Sequence, residues 1–205
     1  MKKTPVYLII ITLIAAAVVW FFIFREKNKS TTATQTSKPY ISQHSAGFNQ
    51  SLRGMMESYY KLTEAFVNWD TLAVEKYSVE LNATLNSLKM EKLMNDSLAY
   101  RKALTGIIAV KSDLAGIINS PGLEEQRQSL NMLSRSLYSF LHIVRYDIGK
   151  VYYQECPMAF EDVHSGYWLS STEAVRNPYL GTKHPKYKSG MLKCGGPKDT
   201  LNFMQ

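Results

Sequence analysis

Apolar positions follow a helical period between residues 48 and 148. They recur at steps of three and four, the spacing that keeps one face of a helix against a core. Asp70 is an N-cap candidate between two of the stretches, and Ser120-Pro121-Gly122 breaks another pair. The four stripes are Phe48, Leu52, Met55, Tyr59, Leu62 and Phe66; Tyr77, Leu81, Leu85 and Leu88; Tyr100, Leu104, Ile107, Leu114 and Ile118; and Leu130, Leu133, Leu137, Phe140, Leu141, Val144 and Ile148. Residues 46–149 are therefore predicted to form an antiparallel four-helix bundle.

The pattern changes after Gly149. Short β-favouring runs at Val151-Tyr152-Tyr153 and Tyr167-Trp168-Leu169 alternate with turn-forming residues. Such a segment has few residues to bury, so it needs to dock on the bundle or to be cross-linked. Residues 150–205 are predicted to form a loop-rich cap of the same domain, with a two- or three-stranded sheet. The fold class is mainly α, and Tyr179 is expected to pack with Trp168 between cap and bundle.

An uncharged, almost wholly apolar run occupies residues 6–24, close to the length of about 20 residues that a membrane-spanning helix needs. Ala15, Ala16 and Ala17 resemble a signal-peptide cleavage site, so a cleaved leader is the alternative. The run continues to Phe24, whereas a signal peptide turns polar after its cleavage site. This favours an uncleaved transmembrane anchor over residues 1–27. Residues 28–45, rich in Ser and Thr, are predicted to form a flexible linker.

The chain carries a net charge of +7. Residues 1–29 contribute much of the excess, with five basic side chains and one acidic side chain. The remainder lacks a basic stripe interleaved with exposed aromatic residues, so no nucleic-acid partner is expected. A short basic N-terminus inside and the domain outside is the most economical topology. We expect a single-pass protein of the cytoplasmic (inner) membrane whose C-terminal domain lies in the periplasm.

Two sulfur-rich motifs lie within the predicted cap, Cys156-Pro157-Met158 and Met191-Leu192-Lys193-Cys194. They contain the two cysteines of the chain, each within three residues of a methionine. Thiolate and thioether sulfur are the ligands that soft cations such as Cu(I) prefer. A structural disulfide is the alternative, because the cysteines of exported domains usually pair. Both hypotheses require Cys156 and Cys194 to approach each other.

Several motifs in a fixed order give the chain a family resemblance. They are Cys156-Pro157-Met158, Trp168-Leu169-Ser170, Asn177-Pro178-Tyr179-Leu180-Gly181 and Met191-Leu192-Lys193-Cys194-Gly195, with Asp70, Gln126-Arg127 and Leu133-Ser134 upstream. Together they resemble a bacterial domain of unknown function over roughly residues 48–196. That family occurs alone on membrane-anchored or exported proteins, and fused to the periplasmic adaptor subunits of copper and silver efflux pumps.

The resemblance implies a periplasmic module whose Cys156, Met158, Met191 and Cys194 match the ligands suggested for a heavy metal in that family. Residues 182–190 lengthen the loop before the last motif and bring His184 as a further candidate ligand. No H-E-x-x-H, G-x-S-x-G or C-x-x-C motif is present, so an enzyme is not expected. A thiol nucleophile paired with a histidine lacks an obvious cleft in the cap.

These observations predict a membrane-anchored periplasmic protein that binds a heavy-metal ion, with Cu(I) as the cofactor. Its function would be accessory to metal efflux or resistance. Its partners would be the inner membrane, through residues 6–24, and components of a heavy-metal efflux pump. The alternative is a non-catalytic interaction or scaffold domain of the envelope with a structural disulfide between Cys156 and Cys194.

Overall fold

The computed structural model describes residues 17–21, 42–90, 97–161 and 163–204. The chain divides into two compact units, residues 1–39 and 40–205. In the first unit, the described residues 17–21 are helical. Within the described residues, no helix has both the length and the apolar character needed to cross a membrane. Most of the predicted anchor, residues 6–24, lies outside the described part of the chain.

The second unit is mainly helical, and its helices precede a small sheet. The helices are α1 (Ala46–Val67), α2 (Thr71–Asn86), α3 (Ser97–Asn119) and α4 (Leu123–Ile143). The side chain of Ser45 caps α1 by accepting from the Phe48 N–H, and Asp70 caps α2 by accepting from the Ala73 N–H. The predicted N-cap at Asp70 is thus confirmed. Helix α1 packs along α2, and α3 packs along α4.

One hydrophobic core joins the helices to the sheet. Leu133, Leu137 and Phe140 of α4 are fully buried in the same cluster as the apolar stripe of α1. That stripe consists of Phe48, Leu52, Met55, Tyr59, Leu62 and Phe66, all of them fully buried. The predicted inner face of α1 is therefore confirmed, and that of α4 is confirmed from Leu130 to Val144. Ile148, also predicted to be inside, lies beyond α4 and is only partly buried. Trp168 and Tyr179 from the C-terminal region are buried in the same core, as expected.

The inner faces of α2 and α3 differ from the prediction. Helix α2 ends at Asn86, so Leu88 lies beyond it, and its buried stripe is Val74, Ser78, Leu81 and Leu85. In α3 the buried residues are Ala103, Ile107, Val110, Leu114 and Ile117. Ile118, predicted to be inside, is 45% exposed. The adjacent residues Ile117 and Ile118 lie three and four positions after Leu114, so both fit a helical stripe, and packing of α3 in the domain buries Ile117.

The sheet contains β1 (Val151–Phe160), β2 (His164–Ser170) and β3 (Gly196–Leu201) in the order β2-β1-β3. Both pairings with the central strand β1 are antiparallel. Cys156-Pro157-Met158 lies within β1, not in irregular chain, and the pairing with β2 shifts register between Cys156 and Phe160. Proline has no N–H for a regular ladder, so it is tolerated where the pairing is interrupted.

The chain segment just before α1 is hydrogen-bonded to the rest of the second unit. The hydroxyl of Ser42 donates to Oδ1 of Asp147 at 2.7 Å, and the backbone N–H of Gln43 donates to Oδ2 at 2.9 Å. Asn49 of α1 adds a hydrogen bond from its side-chain nitrogen to the Ser42 hydroxyl at 2.7 Å. Asp147 is 4% exposed. The last residues of the predicted linker, 42–45, therefore enter the domain beside the junction of α4 and β1.

Candidate functional site

Cys156 and Cys194 form a disulfide with their Cα atoms 5.6 Å apart. Cys156 is fully buried on the central strand, whereas Cys194 is partly buried in the segment just before β3. The bond closes a sequence separation of 38 positions. It therefore ties the first strand of the cap to the start of the last one.

The methionines of the two sulfur-rich motifs lie at the edge of the hydrophobic core. Met158 and Met191 are partly buried, and both pack against the hydrophobic core that contains Cys156. In the disulfide neither sulfur is a thiolate, the form of cysteine that binds metals. Among the described residues, no group of three or more His, Cys, Asp or Glu side chains is arranged to hold a metal ion.

His184 lies in a turn whose geometry engages its ring. Its Nδ1 accepts hydrogen bonds from the backbone N–H groups of Lys186 and Tyr187, both at 3.2 Å. The ring stacks on Tyr187 with centroids 5.0 Å apart and meets the edge of Trp69 at 5.9 Å. These contacts give His184 a structural role in the loop of residues 182–190.

The motif Asn177-Pro178-Tyr179-Leu180-Gly181 forms a tight latch. The Asn177 side-chain oxygen accepts from the N–H groups of Tyr179 at 2.8 Å and Leu180 at 3.0 Å. Its side-chain nitrogen donates to the Cys194 carbonyl at 3.1 Å. Asn177 is fully buried, so it links two of the sequence motifs inside the domain.

Gly181 brings the latch onto the end of α1. Its φ is +56°, and a Cβ at this position would lie 2.4 Å from the Val67 carbonyl oxygen. Glycine adopts this left-handed conformation without steric cost. The next residue, Thr182, donates its N–H to the Val67 carbonyl at 2.8 Å. The glycine that ends the motif thus permits close contact between two backbones.

Arg127 holds the latch from the side of α4. It is 2% exposed, its Nε donates to the Pro178 carbonyl at 3.2 Å, and its guanidinium lies 3.8 Å from the centroid of the Trp69 ring. The Trp69 indole N–H in turn donates to the Leu180 carbonyl at 3.1 Å. Burial lowers the pKa of Arg127 to about 10. The face of the Trp69 ring stabilises the buried guanidinium cation, because a cation–π contact is stronger when the groups are removed from water.

Tyr59 and Ser134 connect the helices to β2. The Ser134 hydroxyl donates to the Leu130 carbonyl at 2.7 Å, so the Tyr59 hydroxyl donates to Ser134 Oγ at 2.7 Å. The Tyr59 oxygen accepts the Leu169 N–H at 3.0 Å. Burial raises the pKa of Tyr59 above its usual range. The Leu133-Ser134 step of the sequence resemblance therefore serves a buried hydrogen-bond network.

A ladder of aromatic rings, which the sequence patterns did not predict, covers the junction of α4 and the sheet. Tyr138 stacks on Tyr153 with centroids 4.2 Å apart, and Tyr153 stacks on Tyr167 at 5.2 Å. The Lys198 ammonium lies 2.8 Å from a carboxylate oxygen of Glu155. Hydrogen bonds from Lys198, and then from Tyr167, lower the pKa of Glu155. The rings of Tyr138, Tyr153 and Tyr167 come from α4, β1 and β2 respectively, and no sequence periodicity relates them.

These contacts define a helical domain with a small β cap that is covalently closed and latched onto the helices. Residues 55–148 match the family model described as "Protein of unknown function (DUF3347)". The match confirms the predicted resemblance to a domain of unknown function, and it runs from α1 to just beyond α4. The cap motifs lie outside the matched residues. No curated protein and no solved structure matches this chain.

Proposed function

We propose that this chain is a membrane-tethered, non-catalytic interaction domain of the bacterial envelope. In this proposal residues 6–24 anchor the chain in the inner membrane, and an antiparallel four-helix bundle with its cap stands in the periplasm. The observation that carries the proposal is the disulfide between Cys156 and Cys194. Such bonds persist in oxidising compartments outside the cytosol.

The structural roles of the motif residues support an interaction domain over an enzyme. Asn177, Arg127 and Ser134 are buried, and each of them makes hydrogen bonds inside the domain. Gly181 allows backbone contact, and Cys156 is consumed in the disulfide. The motif residues thus maintain the shape of the domain, and recognition is left to its outer surface.

The thiol state of the full chain in cells tests this function. Acid-quenched envelopes should show no labelling by a maleimide polymer before reduction and two labels after it, in copper-limited and copper-replete cells alike. The Cys194→Ser variant is the matched control, because its remaining Cys156 should label once without reduction under denaturing conditions. Labelling that changes with copper supply would instead assign the cysteines to metal handling.

Copper binding is the second candidate function, favoured by the position of Met158 and Met191, which are partly buried against the core and lie within three residues of the paired cysteines in sequence. After reduction, Cys156 and Cys194 would supply two thiolates and the methionines would supply thioethers, a donor set selective for Cu(I). The chain would then be accessory to metal efflux, with pump components as partners.

Titration of the reduced full chain with Cu(I), against a competing Cu(I) chelator, tests this second function. One ion should bind per chain, and affinity should fall as the pH falls, because the thiols must deprotonate. The oxidised chain and the Cys156→Ser/Cys194→Ser variant should not compete with the chelator, whereas Met132→Leu, an exposed methionine on α4, should match the parent. Equal affinity of the double variant and the parent contradicts copper binding through these sulfurs.

A further inference from the structure

A cleft opens where the N-terminal half of α2 meets the C-terminal end of α3. Its volume is about 330 Å³, and its lining comes from α2, the end of α3, Ser120 and Gln126 of α4. Val74 and Ile117, both buried, contribute apolar surface to its lining. Ligand and side-chain pockets are typically apolar concavities with a small number of placed polar groups. Neither the disulfide cysteines nor the residues of the latch line this cleft.

Exposed aliphatic side chains border this cleft. Leu72 is 77% exposed and Val79 is 58% exposed, and their separation of seven residues places them on one side of α2. Ile118, the residue predicted to be in the core, is 45% exposed and borders the cleft from α3. Clustered exposed aliphatic residues around a concavity are typical of a protein-interaction surface.

A buried hydroxyl with no partner lines the same cleft. Ser78 is 1% exposed, and its Oγ has no hydrogen-bond partner among the described residues. A hydroxyl that is buried without a hydrogen bond costs free energy relative to its hydrated state. A bound group that donates to Ser78 Oγ or accepts from it would recover this cost. Ser78 therefore provides an unpaired polar group in the cleft lining for an occupant to bind.

The charge at the cleft selects among occupants. Glu75 is the one charged residue among those that the structure places in its lining. A two-fold contact between copies of the chain whose axis passes through the cleft would bring Glu75 near its own equivalent, and like charges in contact are unfavourable. A partner with a basic side chain would complement Glu75. The cleft thus fits a different protein better than a second copy.

We infer that this cleft docks an amphipathic segment of a partner protein. An aliphatic or aromatic side chain of the segment enters the cleft between Leu72, Val79 and Ile118, a polar group pairs with Ser78, and a Lys or Arg pairs with Glu75. Helix-in-groove recognition uses such apolar anchors at helical spacing. The inference rests on the proposed interaction function and names the surface and the partner chemistry.

Panning a display library of random 16-residue peptides against the full chain in detergent micelles tests the inference. Enriched peptides should share apolar anchors at helical spacing and a Lys or Arg. For a synthetic peptide of that class, Val79→Lys should weaken binding by about tenfold, which corresponds to about 1.4 kcal/mol. Ile108→Lys on α3 is the matched control, because Ile108 is 65% exposed and does not line the cleft. It should leave binding unchanged.

A charge swap makes the test specific for Glu75. Glu75→Lys should weaken binding of the basic peptide. A peptide in which Lys or Arg is exchanged for Glu should bind the Glu75→Lys variant again, and should not bind the parent more tightly. Ser78→Ala should weaken binding several-fold with the fold intact by circular dichroism. If no peptide is enriched on the parent chain relative to Val79→Lys, the proposal that the cleft is a docking surface is overturned. Concentration-dependent dimers by sedimentation velocity, lost in Val79→Lys, overturn the basic partner in favour of a second copy.

The two proposals fail in different ways. Peptides that bind equally to the parent, Val79→Lys and Glu75→Lys would remove the cleft as the docking surface and leave the interaction function standing. Copper-dependent thiol labelling in cells would remove the interaction function without reference to the cleft. The panning and the labelling therefore report separately on the two proposals.

Discussion

Replacing both cysteines by alanine, Cys156→Ala/Cys194→Ala, is expected to lower the free energy of unfolding by about 4 kcal/mol. The disulfide spans 38 positions, and opening a loop of this length restores chain entropy to the unfolded state. Alanine is used because Cys156 is fully buried, and a serine hydroxyl at this site would add its own burial penalty. Urea denaturation of the oxidised full chain and of the variant, followed by circular dichroism, measures the difference.

Reduction of the parent chain is the control for this prediction. Dithiothreitol should destabilise the parent by a similar amount and leave the double variant unchanged, because the variant has no bond to break. A difference below about 1 kcal/mol between parent and variant would mean that the latch and the Tyr59 network hold the cap without the disulfide.

Leu137→Ala is expected to cost about 2–5 kcal/mol of stability, the range for large-to-small changes in a packed core. Leu137 is fully buried on α4, in the core cluster that also contains Leu52, Tyr59 and Leu62 of α1. The loss combines the transfer free energy of the removed methyl groups with the cavity that remains. The same urea measurement applies, with an unchanged slope indicating that the unfolding transition stays the same.

Ile108→Ala is the matched control for the core substitution. Ile108 lies on α3 and is 65% exposed, so its truncation should change stability by less than about 0.5 kcal/mol. Equal effects of the two substitutions would show that α4 does not bury the face that contains Leu137.

Much of the helical part of the fold could be predicted from the spacing of apolar residues. The stripe of α1, the stripe of α4 as far as Val144 and the cap at Asp70 are local patterns, and the structure confirms them. The inner face of α3 could not be chosen from sequence, because Ile117 and Ile118 are both apolar and tertiary packing decides between them. On α2, one position of the buried face is occupied by the polar residue Ser78, so the pattern of apolar residues alone did not identify that face.

The cap was harder to predict because long-range contacts form it. Strand β3 contains Gly196, Pro197 and Asp199, which are poor strand formers, and its pairing with β1 imposes the extended conformation. The latch joins Arg127 to Pro178 across 51 positions, and no local pattern connects them. The proximity of Cys156 and Cys194 followed from sulfur chemistry, whereas the state of the two sulfurs depends on redox conditions.

The two outer strands of the sheet are poorly suited to pair with a further strand. On β2, the N–H groups of Tyr167 and Leu169 donate to helix side chains, the Asn131 carbonyl oxygen at 2.9 Å and the Tyr59 hydroxyl at 3.0 Å. On β3, Pro197 lacks an N–H, and Lys198 and Asp199 are exposed charges, a combination that discourages strand addition. Neighbouring copies of the domain would therefore not extend each other's sheets through these two edges.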